Sequence, residues 1–317
     1  MKKQILSMPE WKVFGALFVL LAIVGCLSPG YLQADNLSNV FRQAAFLGIV
    51  AAGQTLVILT AGTDLSVSYL ITMGNLAGAQ IMAGQDEHVL RALCLVLIIG
   101  IIVGFINGIG VALLNIPSLI MTLGTGSVLQ GLAYLYTKGA PKGNTAPWMR
   151  WMVSGRLIGR LSPLLVLWAA LGIFMVFLLT KTVFGRNVYA VGENQLAAHY
   201  SGVPVTKTLL WVYTLSGIFA AVTGLLLVGY TGTSYMGAGT DYQMNSIAVV
   251  VIGGTMLSGG HGSYLGTIGG TLILAVLLNA LNIINIPTFG RDIIRGTIII
   301  VILILYGIQK KNKTGRG

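Results

Sequence analysis

KTVFGRNVYAVGENQLAAHYSGVPVTK, at residues 181–207, is a polar segment in a chain that is apolar almost everywhere else. It contains several basic residues and a single acid, Glu193. Basic loops of membrane proteins tend to stay on the cytoplasmic side. Within the segment, ENQLAAHYSG predicts a short helix, with Gly202 and Pro204 as its stop signals. We therefore expect residues 181–207 to lie at a membrane edge, where a partner can bind them.

The composition on both sides of this segment is that of a membrane protein. Of the 317 residues, 55% are hydrophobic and 9% are charged, whereas a soluble domain carries roughly 25% charged residues. Apolar runs of this length satisfy their own backbone hydrogen bonds as helices. We predict an all-α, polytopic membrane protein with one transmembrane domain over residues 1–317. We expect about ten spans, near residues 13–28, 40–60, 66–84, 89–114, 118–137, 161–180, 208–230, 243–259, 262–284 and 290–308.

The charges predict the orientation of the chain. An even number of spans places both termini on one side, and the basic residues near both ends indicate the cytoplasm. The bias is weak, because nine of the 19 Lys and Arg residues then lie outside, five of them at residues 138–160. Either the topology is off by one span, or this outer face binds an acidic partner. The net charge of +11 is thus divided between two surfaces, and we expect no nucleic acid partner.

Glycine accounts for 43 residues, about twice its usual share. Most single glycines in apolar runs, such as Gly104 and Gly108, are interpreted as contact faces where helices approach closely. The cluster at residues 253–270 is denser than contact requires, and its adjacent glycine pairs favour an interrupted helix or a tight turn. The small and polar residues at 65–83 also leave room for a broken or re-entrant segment.

Two short motifs recur weakly along the chain, which is compatible with a diverged internal repeat of the kind found in transporters. GTDLS at residues 62–66 resembles GTMLS at 254–258, and NIP at 115–117 recurs at 285–287. The two offsets differ, so the spacing of such a repeat would be unequal.

Asp64 is the acid that lies most clearly among apolar runs, and two interpretations are open. An ionisable group within the membrane is a candidate functional residue. Alternatively, its carboxylate caps the next helix by accepting from the amide of Ser66 or Val67. The three histidines lack metal-ligand spacing, and neither a catalytic constellation nor a nucleotide-binding motif is present. We therefore expect no enzyme activity, cofactor or metal in this chain.

Several long motifs, in order, resemble the membrane-spanning permease of a bacterial ABC importer of the ribose type. They are LSPGYLQADNLSNVFRQAA at residues 27–45, GQTLVILTAGTDLSV at 53–67, NGIGVALLNIPSLIMTLGT at 107–125, TVFGRNVYAVGENQLAAHYSGVPV at 182–205 and IAVVVIGGTMLSGGHGSYLGTIGG at 247–270. The resemblance covers almost the whole chain. It is specific for the family but not for the sugar.

The resemblance implies a complex in the bacterial inner membrane whose subunits have separate roles. A cytoplasmic ATPase dimer supplies energy, an extracytoplasmic binding protein delivers a monosaccharide, and two permease copies, identical or sibling, form the pathway within membrane lipid. Residues 181–207 would then hold the helix that couples to the ATPase. Glu193 stands where the family commonly has Gly, and Ser68 replaces the final Gly of the GxDLSV motif.

The site residues follow from this resemblance and from the residues themselves. Coupling to the ATPase is expected at Gly192, Glu193, Asn194, Ala197, Ala198, Ser201 and Gly202. The translocation pathway is expected at Thr63, Asp64, Ser66, Asn75, Gly253, Gly254 and Ser258. Docking of the binding protein is expected at Arg42, Arg291 and Arg295. An ion-coupled secondary sugar transporter or facilitator is the alternative function, and it would use Asp64 as its proton or sodium site.

Overall fold

The structure is a computed structural model, and it describes residues 10–28, 30–157, 159–287, 289–294 and 296–297. These residues are predominantly helical, as predicted, and an isolated β-bridge joins Asn144 and Thr233. Their α-helices are α1 Glu10–Leu27, α2 Ala34–Leu59, α3 Val67–Met82, α4 Val89–Ala112, α5 Ser118–Thr137, α6 Pro147–Ser154, α7 Pro163–Lys181, α8 Val183–Glu193, α9 Gln195–Tyr200, α10 Val205–Thr231, α11 Thr240–Ile252 and α12 Tyr264–Ile283. Residues 289–294 are also helical.

Six helices of the described part are long and apolar enough to cross a membrane: α2, α4 with the turn before it, α5, α7, α10 and α12. Two predicted spans are shorter than expected, since α3 has 16 residues and α11 has 13, whereas a crossing needs about 20. The span expected at 243–259 is interrupted, because α11 ends at Ile252 and a turn follows. The last expected span lies mostly outside the described residues, so the figure of ten remains a prediction.

Helix α10 is the centre of the helical bundle, and three helices pack along it. It runs antiparallel to α2 and α4 and parallel to α3. Helix α4 presents Gly100, Gly104 and Gly108 to α10, four residues apart and therefore on one face. A Cβ atom on Gly104 would lie 2.7 Å from the Cα of Thr214. The interpretation of these glycines as contact faces is thus confirmed, and backbone proximity replaces side-chain interdigitation there.

Two irregular segments interrupt the bundle, as the sequence led us to expect. Residues 60–66 separate α2 from α3, so this break precedes α3 rather than dividing it. Residues 253–263 separate α11 from α12 and contain the predicted glycine-rich turn. Five of the seven residues at 60–66 are buried, in agreement with the rule that irregular backbone at membrane depth must be enclosed by protein.

The two NIP motifs share one local conformation. Asn115 follows α4 with φ +52°, and Asn285 follows α12 with φ +58°. Asn tolerates this left-handed region better than most residues, and the proline two positions later cannot continue a helix. Both motifs therefore end a helix in the same way, while the wider internal repeat remains a prediction.

We expect Gly224→Ala to lower the thermal stability of the purified protein. A Cβ atom at this position of α10 would meet the Ile71 carbonyl oxygen and lie 2.8 Å from the Asn75 amide nitrogen, and both are backbone atoms that cannot rotate away. Overpacking of this kind costs about 1–3 kcal/mol. The matched control is Gly131→Ala in α5, where no atom lies within 4 Å. Equal melting temperatures for the two variants would contradict the close packing of α10 against α3.

Candidate functional site

Most of residues 181–207 belongs to two short helices, α8 and α9, which are joined by a single extended residue. Thr182 Oγ1 accepts a hydrogen bond from the Gly185 amide at 3.1 Å and caps α8. Asn194, with φ −162° and ψ 111°, ends α8 and caps α9, because its Oδ1 accepts from the Ala197 amide at 2.9 Å. The predicted short helix is therefore present at Gln195–Tyr200. Glu193 belongs to the preceding helix rather than to this one.

Helix α9 has one buried face and one exposed face. Ala198 is 5% exposed and packs in a small apolar cluster with Val191 and Leu209. Leu196 and Tyr200, four residues apart, are 71% and 86% exposed. Large apolar side chains displayed together on a rigid, capped helix are typical of a protein-binding surface.

The other residues predicted for coupling divide between the same two environments. Gly192 is buried, whereas Glu193, Asn194, Ala197, Ser201 and Gly202 are exposed. Gly202 has φ +80° and directs the chain from α9 towards α10. The structure thus brings the seven residues into one continuous segment, with Gly192 and Ala198 facing inwards.

The inward end of α8 meets two other elements at four residues that we call the glycine junction: Leu59, Gly192, Gly259 and Gly260. The Gly260 amide donates to the Leu59 carbonyl at the end of α2, at 2.9 Å. Gly192 lies against this hydrogen bond, since a Cβ atom there would be 2.5 Å from the Gly260 nitrogen. Gly259 and Gly260 have φ of +82° and +74°, which favours glycine. The junction therefore joins α2, α8 and the glycine-rich turn at backbone contact distance.

Side chains around the glycine junction reinforce this contact. The Tyr189 hydroxyl on α8 donates to the Gly262 carbonyl at 2.8 Å. Burial, and then the negative charge of Glu10, raise the pKa of Tyr189 to about 12, so the phenol remains protonated at physiological pH. Ser263 Oγ donates to Glu10 Oε1 at 2.6 Å, which ties the start of α1 to the same turn.

Glu193 also reaches this turn. Its Oε2 lies 3.4 Å from Nδ1 of His261. The Glu193 side chain is 66% exposed, so this pair contributes at most about 1 kcal/mol. The Glu193 charge therefore adds an orientating contact rather than much stability.

Asp64 lies in a buried polar cluster at the break between α2 and α3. Its Oδ1 accepts from the Ser66 amide at 3.0 Å and from Ser66 Oγ at 2.6 Å, and its Oδ2 accepts from Ser216 Oγ at 2.7 Å. Asn107 Nδ2 donates to Ser66 Oγ at 2.9 Å. The expected contact with the Ser66 amide is present, but Ser66 is itself the N-cap residue of α3, so the Asp64 carboxylate closes the turn before the helix rather than capping it.

The backbone of the same break is satisfied by side chains of α5. The Thr63 amide donates to Ser118 Oγ at 3.1 Å, and the Leu65 amide donates to Thr122 Oγ1 at 3.1 Å. Two donors that no helix satisfies therefore find partners away from water, which is what a break at membrane depth requires.

The remaining predicted pathway residues lie in other environments. Asn75 is fully buried, and its Oδ1 accepts from the Tyr235 amide at 3.1 Å. Gly253 packs closely against the backbone of α12, and Gly254 has φ +91°. Ser258 is exposed. The structure therefore does not collect the predicted residues in one cavity, and their role in a pathway remains a prediction.

Arginines gather at the end of the bundle away from α9. Arg42, Arg156 and Arg160 line a pocket of about 300 Å³ together with Asp35, and Arg160 Nε lies 3.3 Å from Asp35 Oδ1. The sequence indicated Arg42 alone of these three, although it marked the loop at 138–160 as basic. Arg295 lies outside the described residues.

Arg291 lines a separate, polar cavity at the same end, between α2, α10, α11 and α12. Sequence reasoning missed this cavity. The sequence feature that could have indicated this cavity is a set of amide side chains in otherwise apolar helices: Asn245 in α11, and Asn279 and Asn282 in α12. Among the described residues, no group of three His, Cys, Asp or Glu residues could hold a metal ion.

We expect Asp64→Ala to lower the melting temperature strongly. The substitution leaves the Ser66 amide and two hydroxyl groups without their acceptor, and each unsatisfied buried donor costs about 1–3 kcal/mol. Asp86→Ala is the matched control, because the exposed Asp86 accepts only from the Trp148 amide in the described contacts. Thermal unfolding in detergent measures both, and similar shifts would contradict the structural role of the Asp64 cluster.

Comparisons with known proteins agree with a transport role. The family described as "Branched-chain amino acid transport system / permease component" matches residues 36–303. The ribose import permease protein RbsC of Escherichia coli K12 is 35% identical over 302 residues, covering 93% of each chain. RbsC of Bacillus subtilis 168 is 37% identical, covering 92% of this chain and 91% of the relative.

A third relative is named for the import of a different sugar. The galactose/methyl galactoside import permease protein MglC of Escherichia coli K12 is 33% identical over 333 residues, covering 98% of each chain. No solved structure matched. With a family match over most of its length and relatives above 30% identity, this chain belongs to the family of membrane permease components of import systems.

Proposed function

We propose that this chain forms the translocation pathway for a monosaccharide in an ATP-driven importer. The observation that carries the proposal is the full-length similarity to permeases named for ribose and for galactose import. The scarcity of charge within the spans supports it, because a neutral sugar needs no fixed counter-charge. The family match does not favour the ion-coupled carrier.

The α8–α9 segment is the surface that we propose for the ATPase. Its exposed apolar pair, Leu196 and Tyr200, offers side chains that can insert into a cleft of a partner, and its caps keep both helices rigid. A rigid element is suitable for transmitting movement. The basic residues of 181–207 support a cytoplasmic position for this segment.

The glycine junction supports a route for that movement into the membrane. Gly192 at the end of α8 lies against both α2 and the turn that joins α11 to α12, with no side chain between them. Movement of α8 would therefore displace three membrane-embedded helices directly. Packed interfaces of this type respond by shifting between discrete arrangements.

The arginine pocket at the other end is the surface that we propose for the binding protein. Arg42, Arg156 and Arg160 outnumber the single acid Asp35 there. A positive patch of this kind favours a partner with an acidic rim and increases its rate of association. A second copy of the permease would complete the pathway, with both termini in the cytoplasm of a bacterial cell.

We expect ATP-dependent sugar accumulation only in the assembled importer. Proteoliposomes containing the chain alone should accumulate neither ribose nor galactose, because the chain carries no nucleotide-binding motif. Addition of the cognate ATPase inside and the binding protein outside should produce uptake that ceases without ATP. Accumulation by the chain alone, driven by a proton or sodium gradient, would overturn the proposal.

We also expect a photo-reactive label at position 200 to crosslink to the ATPase. Cys26 and Cys94 are first replaced by serine, and Tyr200→Cys is labelled with a benzophenone maleimide in membranes containing the full complex. The matched control is Ala198→Cys on the same helix, whose side chain faces Val191 and Leu209 and should give little crosslinking. Equal crosslinking at both positions, or none at position 200, would contradict the orientation that we propose for α9.

A further inference from the structure

A polar cavity of about 450 Å³ lies at the end of the bundle away from α9, between α2, α10, α11 and α12. Its volume falls within the range of small-molecule sites, which is roughly 300–1,000 Å³. It is distinct from the arginine pocket, since the two share no lining residue. The residues predicted for a pathway from the sequence do not line it.

The lining of this cavity is rich in amide groups. Gln43, Asn245, Asn279 and Asn282 come from three helices and converge on one space. An amide offers both a donor and an acceptor, which matches a hydroxyl group that also does both. Asn245 Oδ1 and Asn279 Oδ1 have no hydrogen-bond partner in the described residues. Buried polar atoms without partners are costly, so a ligand or water that satisfies them would be stabilised there.

Tyrosines supply the second element of the lining. Tyr230, Tyr235 and Tyr242 also line the same space. A monosaccharide presents hydroxyl groups at its edges and C–H groups on its faces, so amides and aromatic rings together complement it. Asp241, Arg291 and Asp292 stand among the lining residues and have interactions of their own.

The position of the cavity links it to the glycine junction. Asn245 belongs to α11, and Asn279 and Asn282 belong to α12. The turn that connects these two helices contains Gly259 and Gly260 and touches the end of α8. Displacement of that turn would therefore change the separation of the amides that line the cavity.

Resting on the function proposed above, we propose that this cavity is a binding site for one neutral, polyhydroxylated monosaccharide within each permease subunit. Asn245 and Asn279 hydrogen-bond the sugar hydroxyls through Oδ1 atoms that have no partner among the described residues. Asn282, whose Oδ1 accepts from Arg291 Nη1 at 3.2 Å, offers its amide nitrogen. The tyrosines cover a face of the ring. The site is the place where the sugar first enters the permease.

The direct test is protection of an introduced cysteine from alkylation. In the full importer with Cys26 and Cys94 replaced by serine, Asn282→Cys is treated with a hydrophilic maleimide. Ribose or galactose at about 10 mM, which would fill about nine-tenths of a site with a Kd of about 1 mM, should slow the labelling. Leucine at the same concentration should leave the rate of labelling unchanged. Protection by leucine rather than by sugar, or by neither, overturns the proposed site.

Transport by variants provides the second test. Asn279→Leu should reduce ribose or galactose uptake by about tenfold, as expected for one lost hydrogen bond. ATP hydrolysis stimulated by the binding protein should stay within about twofold. Gln80→Leu, an exposed amide of α3 outside the cavity, is the matched control and should keep full uptake. Unchanged uptake in Asn279→Leu overturns the site.

The two proposals can fail separately. If the unmodified importer accumulates no member of a panel of pentoses and hexoses that includes ribose and galactose, the proposed function is wrong. If it accumulates sugar while the cysteine at position 282 is not protected, the function stands and the site is wrong.

Discussion

Irregular backbone at membrane depth has to find hydrogen-bond partners within the protein, and the architecture depends on this constraint. The break between α2 and α3 meets it through Ser118 and Thr122 of α5 and through the Asp64 carboxylate, which also holds Ser216 of α10. One short break thereby fixes the positions of several helices. The second irregular segment, after α11, meets the same constraint differently, through backbone contact at the glycine junction.

These two segments have different mechanical consequences. The break at Asp64 is held by several side-chain hydrogen bonds directed from different helices, so it resists displacement. At the glycine junction a single backbone hydrogen bond, from the Gly260 amide to the Leu59 carbonyl, joins the turn to α2, and the side-chain contacts around it come from α8 and the start of α1. Movement delivered to α8 would therefore act on the turn between α11 and α12 while the Asp64 cluster holds α3 and α10 in place. Such a division into a fixed part and a moving part suits alternating access.

The sequence was informative where a physical rule acts locally. Hydropathy predicted the helical class, Gly104 and Gly108 predicted close helix contacts, and residues 193–202 predicted a short helix, which the structure has at Gln195–Tyr200. It failed where several elements meet in space. The contact of Gly192 with Leu59 and Gly260 joins three distant parts of the chain, and no periodicity encodes it. The amide-lined cavity was missed for the same reason, because Gln43, Asn245 and Asn279 are far apart in sequence and unremarkable singly.

Because a single extended residue joins α8 to α9, the α8–α9 segment can accept substitutions more easily than insertions or deletions. Side chains at the exposed positions can change with the shape of a partner, since the backbone does not depend on them. The number of residues cannot change so freely, because one residue more within α9 would rotate the following side chains by about 100° and turn Tyr200 away from its present direction. Importers of this type should therefore diversify here through substitution, at constant length.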